Sequence, residues 1–94
     1  MKLIYSAEAV QDLIRLREFI AEKNPLAAAR IAGELVSRIE HLCMFPALGR
    51  SVPQAPTPDT IRDFVFGNYI VRNAIHTGAI TILRVWHNYE NRDS

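Results

Sequence analysis

Apolar and polar positions alternate with two different periods along this chain, and the change of period divides it into a helical half and a strand half. Lys2 to Tyr5 is a short run of apolar and aromatic character that predicts a first strand. Ser6 closes it, and the hydroxyl can cap the orphan amides of a following helix, with Glu8 in the first turn where the helix dipole favours an acid. Val10, Leu13, Ile14, Arg17 and Ile20 then recur at steps of three and four, with Leu16 and Phe19 widening the stripe; Asp12, Arg15, Glu18 and Glu22 fall mostly outside it. This pattern predicts an amphipathic helix to about Lys23.

Asn24-Pro25 ends that helix and begins another, since proline cannot continue a helix but suits the first position of a new one, with asparagine as its cap. The second helix is predicted over Pro25 to Met44, with Ile31, Leu35, Ile39 and Leu42 on one stripe and Val36 and Cys43 beside it. Pro46 stops it. The stretch from Phe45 to Pro58 holds four of the five prolines and Gly49, so it reads as an extended connection. From Thr60 the period becomes two, over Ile61 to Phe66, Tyr69 to His76 and Ala79 to Trp86. Gly67-Asn68 and Thr77-Gly78 supply the positive φ angles that two-residue hairpins demand, so these three strands are expected to be consecutive and antiparallel.

The resulting expectation is an α+β fold in two layers, β-α-α-β-β-β, with an antiparallel sheet packed on an N-terminal helical hairpin and one domain over residues 1–94. With both helical stripes used against one face of the sheet, the other face stays partly open, as a small domain leaves a face mainly for binding.

Charge narrows the choice of partner. Eleven basic against ten acidic side chains give a net charge of +1, which excludes a bulk polycation that grips nucleic acid by charge alone. The single Cys43 excludes a disulfide framework and a multi-cysteine zinc site, and the histidines lie too far apart to form a helical metal pair, so neither metal nor cofactor is expected. The N-terminus is neither a signal peptide nor a membrane span, and a cytoplasmic protein with no membrane partner is the expectation. Serines lack the glycine-framed elbow of a hydrolase, and the four glycines form no phosphate loop.

Candidate chemistry gathers in the strand half. Only Lys2 and Lys23 are lysine; the other nine basic residues are arginine, whose planar fork suits carboxylate and phosphate. His41 and His76 read as structural, at a helix end and a hairpin corner. His87 stands beside Trp86 in a segment that also carries Arg84, Tyr89, Glu90 and Arg92, a set that can offer acid, base and anion clamps. By simple alternation Trp86 shares a strand face with Ile82 and Arg84, opposite Leu83 and Val85. If the latter pair packs inward, Arg84 and Trp86 mark the open face together with Arg72 or Arg62. Such a cluster grips phosphates or bases, or an acidic peptide.

Several segments resemble one known family: Leu3-Ile4-Tyr5-Ser6-Ala7-Glu8-Ala9 with Asp12-Leu13, the joint Asn24-Pro25 with Ala27-Ala28-Ala29, the string Leu42-Cys43-Met44-Phe45-Pro46-Ala47-Leu48-Gly49-Arg50, and Ile82-Leu83-Arg84-Val85-Trp86-His87. In this order they resemble the RelE/ParE toxin superfamily of type II toxin–antitoxin systems, in its ParE-like, plasmid-stabilisation branch. The resemblance implies growth arrest relieved by a cognate antitoxin whose flexible segment wraps the toxin. It also implies one of two activities. The RelE branch cuts messenger RNA in the ribosomal A site with basic residues of the sheet and a C-terminal Tyr or His, without metal; the ParE branch inhibits DNA gyrase.

An arginine in the nuclease branch follows the aromatic that begins the third strand, and here Tyr69 is followed by Ile70. Arg72 shares that strand face but lies about 7 Å further along. A His-Tyr ending would fall on Asn88-Tyr89, and Asn88 is neither acid nor base. The chain also departs from ParE-like patterns, with Asn73 in place of a tyrosine and Asn88 in place of a glycine. The expectation is therefore a gyrase-binding toxin, with Arg62, Tyr69, Arg72, Arg84, Trp86, His87 and Arg92 contacting the target or the antitoxin. The alternatives are a ribosome-dependent endoribonuclease using Arg72, Arg84, His87 and Tyr89, and a non-toxic module that only binds the antitoxin.

Overall fold

Ser6 sets the first junction. Its extended backbone ends strand β1 (Lys2–Tyr5), and its Oγ accepts from the Ala9 amide at 3.0 Å, which caps helix α1 (Ala7–Lys23). Asn24 does two jobs at the next junction: its backbone N–H donates to the Ile20 carbonyl, and its Oδ1 accepts from the Ala27 amide at 3.1 Å to cap helix α2 (Pro25–Met44). The computed structural model describes residues 2–45, 49–52 and 60–87. Beyond α2 come β2 (Arg50–Ser51), β3 (Ile61–Phe66), β4 (Tyr69–His76) and β5 (Ala79–His87). Gly67 and Gly78, at φ of 55° and 73°, make the two hairpins that the glycine pairs predict.

The sheet has the order β1-β5-β4-β3-β2. β3, β4 and β5 form the expected antiparallel meander, while β1 joins at the edge parallel to β5, with Lys2 opposite Ala79 and Tyr5 opposite Ile82. That parallel contact is possible because the helical hairpin lies in the long connection between the two strands. The short β2 pairs with β3 inside the connection read as irregular.

One face of the sheet is buried by the hairpin. Leu16 of α1 and Leu35, Ile39 and Leu42 of α2 pack on Val71, Ile80, Ile82 and Val85. The helical stripe is rotated from the expected one: Ala9, Asp12 and Leu16 are buried, whereas Val10 and Ile14 are 44% and 53% exposed. Leu83 explains the misreading in β5. Arg72 faces Arg84 but Asn73 faces Ile82, so Leu83 is an extra residue and a bulge. Ile82 and Val85 therefore lie on the same, core-facing side, where strict alternation had placed them on opposite sides.

Candidate functional site

β1 pairs with β5 only as far as Ile82, and among the described residues no strand continues along that side of β5. Side chains from the α1 junction take over. Ser6 donates its backbone N–H to Ile82 O and its Oγ to Leu83 O, both at 2.9 Å. Asp12 Oδ2 accepts the Val85 N–H at 2.8 Å, and Arg15 Nη2 donates to Val85 O at 3.3 Å. A helix thus satisfies backbone groups that would otherwise be orphans at a sheet edge.

Asp12 is the centre of this contact. Besides the Val85 amide it accepts Nε and Nη2 of Arg84 at 2.8 and 3.1 Å and Nη1 of Arg15. Burial pushes the Asp12 carboxyl up, but the hydrogen bonds from Arg84, Arg15 and Val85, with the Arg84 charge, outweigh it and hold the carboxyl below its ordinary range. The same bond raises the pKa of Arg84, so the pair is ionised at neutral pH. Nothing in the helical period marks Asp12 as buried, and its partner lies 72 residues away.

Arg84, Trp86 and Arg72 stand together on the open face, as Ile70 opposes Trp86 and Arg72 opposes Arg84. The guanidinium carbons of Arg72 and Arg84 lie 5.1 and 5.3 Å from the Trp86 ring centroid, within cation–π reach. Arg72 is bound in turn by Asp63 through Nε at 2.8 Å and Nη2 at 3.0 Å, a two-pronged pair across β3 and β4 that raises its pKa.

The other expected residues lie elsewhere. Arg62 opposes Asn73, on the helix-facing side, and its Nη2 donates to Gly49 O at 2.8 Å. Tyr69 and His87 oppose each other on that same side; their rings meet edge-on at 5.0 Å, and Phe19 of α1 lies 5.9 Å from His87. The structure therefore separates His87 from Arg72 and Arg84 by the thickness of the sheet. Tyr89 and Arg92 lie outside the described residues. Asn73 is fully buried, and neither of its amide atoms has a hydrogen-bond partner among the described residues.

Two further features bear on function. Leu13, Ile14, Arg17 and Ile20 of α1 with Ile31 and Val36 of α2 line an open apolar groove of about 190 Å³ on the outside of the hairpin. Cys43 is half-buried and burial pushes its thiol up, away from reactive thiolate character. Among the described residues no group of three or more His, Cys, Asp or Glu side chains is placed to hold a metal, and no helix is long and apolar enough to cross a membrane.

The chain matches the family model described as ParE toxin of type II toxin-antitoxin system, parDE, over residues 3–92, and it belongs to that family. It is 33% identical over 92 residues to "Toxin RelE1" of Caulobacter vibrioides, covering 96% of each chain. It is 29% identical over 87 residues to "Toxin RelE2" of the same organism, covering 92% of this chain and 93% of that one. Its fold is similar to a chain of the "Chromosomal ParDE TA system from P. aeruginosa", with a TM-score of 0.78 at 19% identity, over 93% of this chain and 95% of that one. The protein is a type II toxin of the ParE/RelE superfamily, and a cognate antitoxin is its implied partner.

Proposed function

We propose that this toxin acts in the cytoplasm as a non-enzymatic inhibitor of DNA gyrase and is neutralised by direct binding of its antitoxin. The observation that carries this reading is the commitment of Arg84, which is forked onto the buried carboxylate of Asp12. A nuclease needs preorganised cations aimed at a phosphate where charge develops, and a guanidinium already neutralised by a carboxylate serves that role poorly. Ile70 supplies no charge in place of the missing arginine, and His87 faces the helices. The antitoxin reading draws on the apolar groove between the two helices, which offers a seat for the apolar face of an amphipathic segment, and on the exposed arginine edges, which suit acidic groups.

Purified toxin is expected to block gyrase supercoiling and leave ribosome-bound messenger RNA intact, with antitoxin restoring supercoiling. Cleavage in the ribosomal A site with normal supercoiling would refute the proposal. That outcome belongs to the second reading, a ribosome-dependent endoribonuclease, which the RelE names of the Caulobacter relatives favour. Under it, Arg84→Ala and His87→Ala each abolish growth arrest in a folded protein. Harmless overexpression without antitoxin would instead mark a module that retains only antitoxin binding.

A further inference from the structure

One row of side chains across the open face is charged from end to end. Arg50, Asp63, Arg72 and Arg84 occupy directly opposed positions on β2, β3, β4 and β5, and Asp12 closes the row on Arg84. Three arginines against two aspartates leave this row at +1. Directly opposed like charges repel across a sheet, so Arg72 and Arg84 stand side by side only because each is held by a carboxylate.

The two carboxylates are not equivalent. The Asp12 side chain is 3% exposed and takes four donors, including a backbone amide, so withdrawing it leaves buried groups unsatisfied. Asp63 is 23% exposed and Arg72 33%, in a cross-strand pair that water can reach. Asp63 also has a second cation beside it, since Arg50, exposed on β2, opposes it on its other flank. Asp63 can leave Arg72 without becoming an unpaired charge.

We infer that Asp63 is an internal stand-in for a partner's carboxylate: an acidic protein segment docks on the open sheet face by taking the Arg72 guanidinium over from Asp63, which turns to Arg50, while Arg84 stays on Asp12. The fork geometry that holds Asp63 is the one an incoming Glu or Asp would adopt. Val65, two residues from Asp63 on the same strand face and 53% exposed, gives that segment an apolar anchor. A nucleobase is the poorer match, because the guanidinium groups of Arg72 and Arg84 already lie against the Trp86 ring. The inference rests on the reading that an acidic protein partner binds this chain, and it adds an affinity brake built into the site.

The test is a titration of isotope-labelled full chain with the blocked peptide acetyl-pentaglutamate-amide, followed at the indole N–H of Trp86, with an octauridylate RNA as a parallel arm. Asp63→Asn keeps the side-chain shape and removes the competing charge; it is expected to bind the peptide about two- to fivefold more tightly than wild type, the scale of one exposed ion pair. Arg50→Gln, which leaves Arg72 and Asp63 in place, is expected to weaken peptide binding by removing the alternative seat of Asp63. Thermal melts verify that both variants fold, and Asp63→Ser replaces Asp63→Asn should the latter not fold. Equal peptide affinity in wild type and variant overturns the exchange while leaving the acidic-partner reading standing. Failure of every form to bind the peptide overturns the exchange and open-face recognition together. A gain for RNA without a gain for peptide overturns it in favour of a nucleic-acid ligand.

Discussion

Replacing Asp12 by alanine tests the account of how the helical layer is fastened to the sheet. The substitution removes the acceptor of the Val85 amide and the counter-charge of Arg84 and Arg15 at one stroke. The arginines, 42% and 41% exposed in their side chains, regain water at little cost. The amide does not, and a buried N–H left without a partner costs about 1–3 kcal/mol. Charge-assisted bonds lost from Arg84 add to this, and breaking a buried pair by removing one partner costs about 3–5 kcal/mol in all. We expect a loss near the lower end, about 3 kcal/mol, because one side of the pair is half-exposed. For a domain of this length that is a drop in Tm of about 12–24 °C.

Urea denaturation followed by Trp86 fluorescence and by circular dichroism measures this loss, and agreement of the two probes checks the two-state assumption. Acid titration supplies an independent arm. The Asp12 carboxyl sits below its ordinary range in the folded chain, so its contribution is fully present above the unfolded pKa of about 3.9 and is lost as pH falls through the lower folded value. The Asp12→Ala protein should thus show a flatter acid limb below about pH 4 than wild type. A loss under about 1 kcal/mol, with an unchanged acid limb, would refute the idea that Asp12 fastens α1 to β5.

Other consequences are simpler to check. Asn73→Leu removes a buried amide that makes no hydrogen bond among the described residues and should stabilise the fold by about 1 kcal/mol in the same urea assay. Gly67→Ala places a Cβ in open space but at positive φ, costing about 1 kcal/mol, whereas Gly67→Asn should cost less. Gly49→Ala should cost more than Gly67→Ala in the same melt, because its Cβ would come 2.9 Å from Asp63 O, a backbone atom that cannot swing aside. Ile14→Asp and Val36→Asp lie in the groove, at 53% and 37% exposure, and should leave stability within about 0.5 kcal/mol. The same pair should weaken antitoxin binding at least tenfold, about the worth of one buried apolar side chain, in a calorimetric titration.

The helices, their caps and the three-strand meander were legible because each signal is local: Ser6, Asn24-Pro25, Gly67-Asn68 and Thr77-Gly78 each act within a few residues of themselves. The parallel seat of β1 has no local signal, since it depends on where the hairpin returns the chain. Alternation failed at Leu83 because a bulge adds a residue without announcing it, and every side assignment made by counting across it inverts. Asp12 escaped notice for a related reason. A carboxylate beside an apolar stripe reads as solvent-facing unless its partners are known, and they come from the far end of the chain. The open-face cluster was anticipated for Arg72, Arg84 and Trp86, but their carboxylate partners were not, and those partners decide what the cluster can do.

The helix-sealed edge of β5 also constrains how the chain can vary. Ser6, Asp12 and Arg15 reach Leu83 and Val85 only because strand β1 delivers α1 at one rotational phase. Adding one residue between Tyr5 and Asp12 would turn the helix by about 100° and swing the carboxylate away from Val85 and Arg84. Insertions that a surface loop would absorb are thus forbidden in this stretch, and the junction works as an indexing gear: the strand counts residues, and the helix reads the count as an angle.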